Sequence, residues 1–113
     1  MKVLITGGSG FIGSALIRYF LKNFKNYQIL NVDKLTYASN DSLNQFSENK
    51  NYIHKNIDIV DSKSLHDAFL EFAPDCVMHL AAESHVDNSI KNPSKFIETN
   101  IIGTFNLLNT SLD

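Results

Sequence analysis

The glycines constrain this chain most. Of its five, four (Gly7, Gly8, Gly10 and Gly13) fall within the first thirteen residues, and the fifth is Gly103. Glycine reaches backbone conformations and close approaches that side chains forbid, so the cluster marks one special stretch of backbone. Its flanks say what kind. Lys2–Thr6 is a short, apolar, β-branched run that reads as a buried strand. Residues 11–24 follow with helical spacing. Ile12, Leu16, Phe20 and Phe24 recur at steps of four, with Ala15 and Tyr19 beside them, which predicts that face as the buried one. Gln28–Val32 is a second strand, ending at Asp33. Strand, glycine turn, helix and strand make a βαβ unit, with a parallel sheet and a right-handed crossover expected.

The glycines at 7, 10 and 13 read G-x-x-G-x-x-G. The first permits a tight turn, the second lets backbone N–H groups approach a pyrophosphate, and the third lets helix and strand pack closely. The helix N-terminus then presents unpaired N–H donors and the positive end of its dipole. Asp33 follows Gly13 by 20 residues, the spacing at which a carboxylate accepts hydrogen bonds from the adenosine ribose of a dinucleotide. Such a carboxylate repels a 2′-phosphate, which favours NAD over NADP. Lys34 weakens that preference, because a cation can pair with a phosphate. Taken singly, the glycines need be no more than a tight turn, and Asp33 no more than a solvated turn aspartate. Their joint context favours the dinucleotide.

Residues 34–51 are polar and suit a surface loop, with a short helical turn at Asp41–Phe46. Residues 52–57 read as a third strand. Asp61 or Ser62 caps a helix with Leu65, Ala68, Phe69 and Phe72 on its apolar face, and Pro74 stops it. Residues 76–82 form a mostly apolar run, which predicts a central strand covered on both faces. Asn92-Pro93 opens a last helix, and its spacing predicts a buried stripe of Ile97, Ile101, Thr104, Phe105 and Leu108. The alternation predicts an α/β fold, a Rossmann-type doubly wound parallel sheet with helices on both faces. Residues 1–113 would form one dinucleotide-binding domain, truncated.

Composition excludes several classes. Hydrophobic residues are 43% and charged ones 19%, with net charge −2 and scattered lysines, which argues against nucleic acid and membrane surfaces as partners. The single Cys76 rules out an internal disulfide and a cysteine-based zinc cage, and no metal site is read. Structure starts at once after Met1 and no apolar run is long enough to span a bilayer, so neither a signal peptide nor a membrane anchor is expected and a cytoplasmic location is.

The G-x-x-G-x-x-G spacing resembles the extended short-chain dehydrogenase/reductase family. Three segments sharpen the likeness: 33–38 (Asp-Lys-Leu-Thr-Tyr-Ala), 79–87 (His-Leu-Ala-Ala-Glu-Ser-His-Val-Asp) and 98–104 (Glu-Thr-Asn-Ile-Ile-Gly-Thr). They are similar to the dTDP-glucose 4,6-dehydratase group of that family. The resemblance covers nearly all of this chain but only the N-terminal third or so of such an enzyme. It implies that Gly7, Gly10, Phe11, Ile12 and Gly13 hold the pyrophosphate of NAD, and that Asp33, Lys34, Leu35 and Thr36 line the adenosine ribose. Asp58 and Ile59 would flank the adenine. Leu80, Ala81, Ala82, Ser84 and Thr99 would wall the nicotinamide half, with Ser84 and His85 facing a nucleotide-diphosphate sugar. It also implies a homodimer in the complete enzyme. His54 and His66 read as surface histidines and His79 as a satisfied core one. Asn100 either supports the site from behind or only caps a buried carbonyl.

The family's chemistry uses a Tyr-x-x-x-Lys pair, in which the tyrosinate is the base and the lysine lowers its pKa. Four residues after Tyr19, Tyr27, Tyr37 and Tyr52 stand Asn23, Asn31, Asp41 and Asn56. No residue here is therefore assigned a catalytic role, and the pair and a Thr-Asp-Glu segment are expected beyond Asp113. The chain alone is expected to be inactive. A nucleotide-sugar epimerase of the same family and a non-catalytic dinucleotide-binding module remain as alternatives.

Overall fold

Along the first strand Val3 and Ile5 face one way and Leu4 the other, and this period of two gives the sheet a core on each side. The computed structural model describes residues 1–37 and 39–113; Ala38, the last residue of segment 33–38, lies outside the described residues. The strands are β1 (Lys2–Thr6), β2 (Gln28–Val32), β3 (Tyr52–Lys55) and β4 (Cys76–His79). All pair in parallel, in the order β3-β2-β1-β4. The helices are α1 (Phe11–Asn23), α2 (Ser62–Phe72), α3 (Val86–Lys91), α4 (Pro93–Ile97) and α5 (Thr104–Leu112), with a 3-10 turn at Asp41–Phe46. A π-helical segment, Glu98–Gly103, joins α4 to α5.

One face of the sheet is covered by α1 and the 3-10 turn, with Ile17 and Leu43 packed on Val3, Ile5 and Ile29. The other is covered by α2 and α5, with Leu65, Ala68, Phe72 and Leu107 on Leu4, Leu30 and Val32. The expected Rossmann-type doubly wound sheet, with helices on both faces, is thus the observed one. Asp61 is the cap of α2, accepting from Ser64 N–H at 3.1 Å. That helix closes through Ala73, whose φ of 49° is left-handed.

Four expectations change. The third and fourth strands are shorter than 52–57 and 76–82, because Lys55 pairs with Val32 and His79 with Thr6, the last residues of the neighbouring strands. Beyond those pairs the chain leaves the ladder. Among the described residues β4, expected as a central covered strand, pairs with β1 alone, and Cys76 and His79 are exposed. On α1 the buried residues are Gly13, Ser14 and Ile17, with Leu16 and Phe20 of the expected face partly buried against the same core, while Ile12, Ala15 and Tyr19 are exposed. Gly13 lets the helix sit so close to the loop that its own turn of the helix becomes the buried one.

The last helical run shows the largest difference. Ile101 is 62% exposed, Phe105 63% and Leu107 only 3%. Thr99, Gly103, Leu107 and Thr110 form the buried line, while Ile97 and Leu108 are exposed as well. The four-residue spacing holds through the π segment, but the apolar stripe it makes faces away from this chain's core, and the residues opposite it face inward. Gly103 supplies the close approach, since a Cβ there would stand 2.5 Å from Ile59 Cδ1.

Candidate functional site

After β1, β2 and β3 the chain returns to the other side of β1 to form β4. Such a reversal leaves a crevice at the carboxyl ends of the strands. Here it is a cavity of about 390 Å³. Gly7, Gly10, Phe11, Ile12, Gly13, Asp33, Lys34, Thr36, Asp58, Ile59, Leu80, Ala81, Ala82, Ser84 and Thr99 all line it, as do Val32, Ser39, Ile57 and Glu83. Leu35 does not. With φ 57° it turns toward a second cavity, between the 34–51 loop and the sheet. His85 also stands outside, at the start of α3, with its ring edge-on to Tyr37.

The glycine loop is built for close approach. Gly7 has φ 70°, and a Cβ there would lie 2.5 Å from Ala81 N. A Cβ on Gly13 would lie 2.3 Å from Gly7 O. Gly10 is different: a Cβ there would meet only Gly7 O, at 3.4 Å. The space a side chain would fill at Gly10 is therefore cavity. Gly10 also caps α1 without a side-chain acceptor, so the first-turn N–H groups lack one. An elongated anionic group fits this cradle, with those N–H groups as its donors.

A buried side chain fixes the loop from beneath. Asn31, fully buried on β2, donates from Nδ2 to Ser9 Oγ at 3.0 Å and to Tyr52 Oη at 3.1 Å. Burial raises the Tyr52 pKa. Ser9 N–H in turn donates to Asp33 Oδ2 at 2.9 Å, and Leu35 N–H to Asp33 Oδ1 at 2.8 Å. The Asp33 carboxylate is thus oriented at the cavity edge. Nearby, Lys34 Nζ lies 3.2 Å from Asp58 Oδ2, and Asp58 Oδ1 accepts Val60 N–H at 3.0 Å.

The β4 side rests on a directional chain. Thr6 Oγ1 accepts from Leu80 and Ala81 N–H at 3.2 Å each, so its own proton goes to His79 Nδ1 at 2.6 Å. His79 Nε2–H then donates to Thr104 Oγ1 at 2.9 Å, and Thr104 donates to Asn100 O at 2.7 Å. The imidazole is neutral in this arrangement, and partial burial of the ring lowers its pKa. His79 is satisfied as expected, but at the exposed end of β4 rather than in the core. Glu83, only 6% exposed, accepts from Tyr37 Oη at 3.1 Å and lies 3.9 Å from Lys95 Nζ. Sequence reasoning missed Asn31, Tyr52 and Glu83. An asparagine in an otherwise apolar strand is the signal that could have found the first.

A family profile described as GDP-mannose 4,6 dehydratase matches residues 4–112. The chain is 55% identical over 109 residues to dTDP-glucose 4,6-dehydratase of Salmonella typhimurium, covering 96% of this chain and 30% of that protein. The enzyme of the same name from Neisseria meningitidis is 53% identical, over 95% of this chain and 30% of that one. The chain therefore spans about 30% of the length of the curated relatives it matches. Among solved structures, dTDP-glucose 4,6-dehydratase from Streptomyces venezuelae with NAD bound superimposes at TM-score 0.92. It is 37% identical, over all of this chain and 36% of that one. UDP-glucose 4-epimerase from Thermotoga maritima, holding UDP-glucose, superimposes at TM-score 0.86 with 34% identity, over 98% of this chain and 34% of that one. With 109 of its 113 positions inside the family profile, this chain belongs to the GDP-mannose 4,6 dehydratase family.

Proposed function

We propose that residues 1–113 form the N-terminal, incomplete NAD-binding domain of a nucleotide-sugar 4,6-dehydratase acting on a dTDP-glucose type of substrate. The observation that carries this is Gly10, whose missing side chain opens onto the cavity beside an uncapped helix start. Bound NAD would supply the acceptor for a hydride from sugar C4 and the donor that returns it to C6. The chain's own residues bind and orient. Gly7, Gly10, Phe11, Ile12 and Gly13 give backbone donors to the pyrophosphate. Asp33, held by Ser9 and Leu35 N–H, accepts the ribose hydroxyls, with Thr36 beside it. Leu35 serves through its backbone, since its side chain leaves the cavity.

Asp58 and Ile59 flank the adenine. Leu80, Ala81, Ala82, Ser84 and Thr99 exclude water from the nicotinamide half. Ser84 and His85 face the sugar. The acid/base set is assigned to the rest of the enzyme, so this chain alone does not turn over. The absence of lysine four residues after any tyrosine supports that. The exposed stripe of Ile97, Ile101, Phe105 and Leu108 supports pairing of two copies in the whole protein. No helix among the described residues is long and apolar enough to cross a membrane, in keeping with a cytoplasmic enzyme.

Titration calorimetry tests the reading. NAD should bind, and Asp33→Ala should weaken it by roughly 10- to 100-fold, the worth of a charged hydrogen-bond acceptor. NADP binding as tight as NAD would overturn the role of Asp33. The epimerase reading has support in the fold shared with the Thermotoga maritima enzyme. Over 50% identity to dehydratases favours the first. An assay of the whole protein with a dTDP-sugar decides, since only the dehydratase releases a 4-keto-6-deoxy sugar.

A further inference from the structure

Lys34 is the one cation among the described residues lining the cavity, and it follows Asp33 directly. A free ammonium at that place would undo what Asp33 does, because it would pair with a 2′-phosphate on the adenosine ribose. The structure shows it is not free. Its Nζ lies 3.2 Å from Asp58 Oδ2, with side-chain exposures of 26% and 41% for lysine and aspartate. Asp58 is itself held, since Oδ1 accepts Val60 N–H at 3.0 Å and leaves Oδ2 directed at the lysine. The two residues come from the ends of different strand–loop junctions, 24 positions apart. No local turn forces them together.

We propose that Asp58 sets the dinucleotide preference of this site through Lys34: by holding the ammonium, it denies a 2′-phosphate its cation. The inference rests on the NAD-binding reading above and deepens it. Asp33 repels the phosphate, and Asp58 keeps the adjacent lysine from offsetting that repulsion. Any contact Asp58 makes with the adenine is common to NAD and NADP and cancels in the ratio of their affinities.

The test is calorimetric titration of the chain, and of Asp58→Asn, Lys34→Met and the double variant, with NAD and with NADP. Asp58→Asn should lower the preference for NAD by about fivefold to tenfold, the worth of one released charged contact. Lys34→Met should not lower it. In the Lys34→Met background, Asp58→Asn should leave the ratio unchanged. Asp58→Ser, which also keeps an acceptor for Val60 N–H, serves if Asp58→Asn does not fold. A ratio unmoved by Asp58→Asn while NAD still binds overturns this inference alone. A fall that persists without Lys34 also overturns it, because the carboxylate would then act by its own repulsion. Failure of the unmodified chain to bind either dinucleotide overturns the NAD-binding reading and this inference with it.

Discussion

The Asn100 carboxamide engages both main-chain groups of Glu83: Oδ1 accepts Glu83 N–H at 2.8 Å, and Nδ2 donates to Glu83 C=O at 3.0 Å. The π-helical segment thereby grips the chain where it leaves β4 and enters the cavity wall. Asn100→Ala would leave two partly buried backbone groups without partners, at about 1–3 kcal/mol. Asn100→Asp keeps the acceptor for Glu83 N–H but sets a carboxylate oxygen against Glu83 C=O, and should cost at least as much. The urea midpoint should fall in both variants at constant slope.

Gly10 and Gly13 should separate binding from folding. Gly10 has φ −75° and open space where a methyl would go. Gly10→Ala should change stability by less than about 0.5 kcal/mol, yet weaken NAD at least tenfold by filling the cradle. At Gly13 a methyl would meet Gly7 O at 2.3 Å, and Gly13→Ala should cost about 2 kcal/mol or more. Thermal melts and calorimetry on both variants check this. Equal loss of stability in the two would show that Gly10 is only a turn residue.

His79 should make the fold sensitive to mild acid. Although one edge of the residue is exposed, partial burial of the ring holds its imidazole below the ordinary histidine pKa. When the chain unfolds, the ring takes up a proton near pH 6.5. Below that pH the unfolded state binds more protons than the folded one, so stability falls as pH falls and is whole above it. His79→Gln cannot titrate and should show a shallower loss between pH 7.5 and 5.5. Urea titrations of both proteins at the two pH values measure the difference, and parallel losses would contradict it.

Gly103 should couple to Ile59. A Cβ at Gly103 would lie 2.5 Å from Ile59 Cδ1 and 2.6 Å from Cγ1, and Ile59 is buried. Gly103→Ala should cost about 1–3 kcal/mol by overpacking. Ile59→Ala removes both clashing atoms, so the double variant should be less destabilised than the two single losses added. A double-mutant cycle from chemical denaturation gives the coupling.

The glycine spacing, the strand before it and Asp33 after it were all legible, because turn chemistry and the βαβ pattern act over short stretches of chain. The 3-10 turn at Asp41–Phe46 and the Asp61 cap were legible for the same reason. The exposed stripe of α4 and α5 was misread because hydrophobic spacing was taken to mean burial against this chain. Gly103, the only glycine outside the loop, marks the true packing line with Thr99 and Leu107, but its small side chain carries no hydrophobic signal. The Asn31–Ser9–Asp33 support and the Lys34–Asp58 pair join residues 22 to 24 positions apart, and nothing local announces either.

The sequence by itself determined the kind of fold and where its crevice begins, since glycine sterics and strand or helix periodicity are properties of neighbouring residues. Only the tertiary structure decided which helix faces are buried, that β4 pairs with β1, and which charges meet. Those depend on how the strands are ordered in space, and strand order brings together residues that are far apart along the chain.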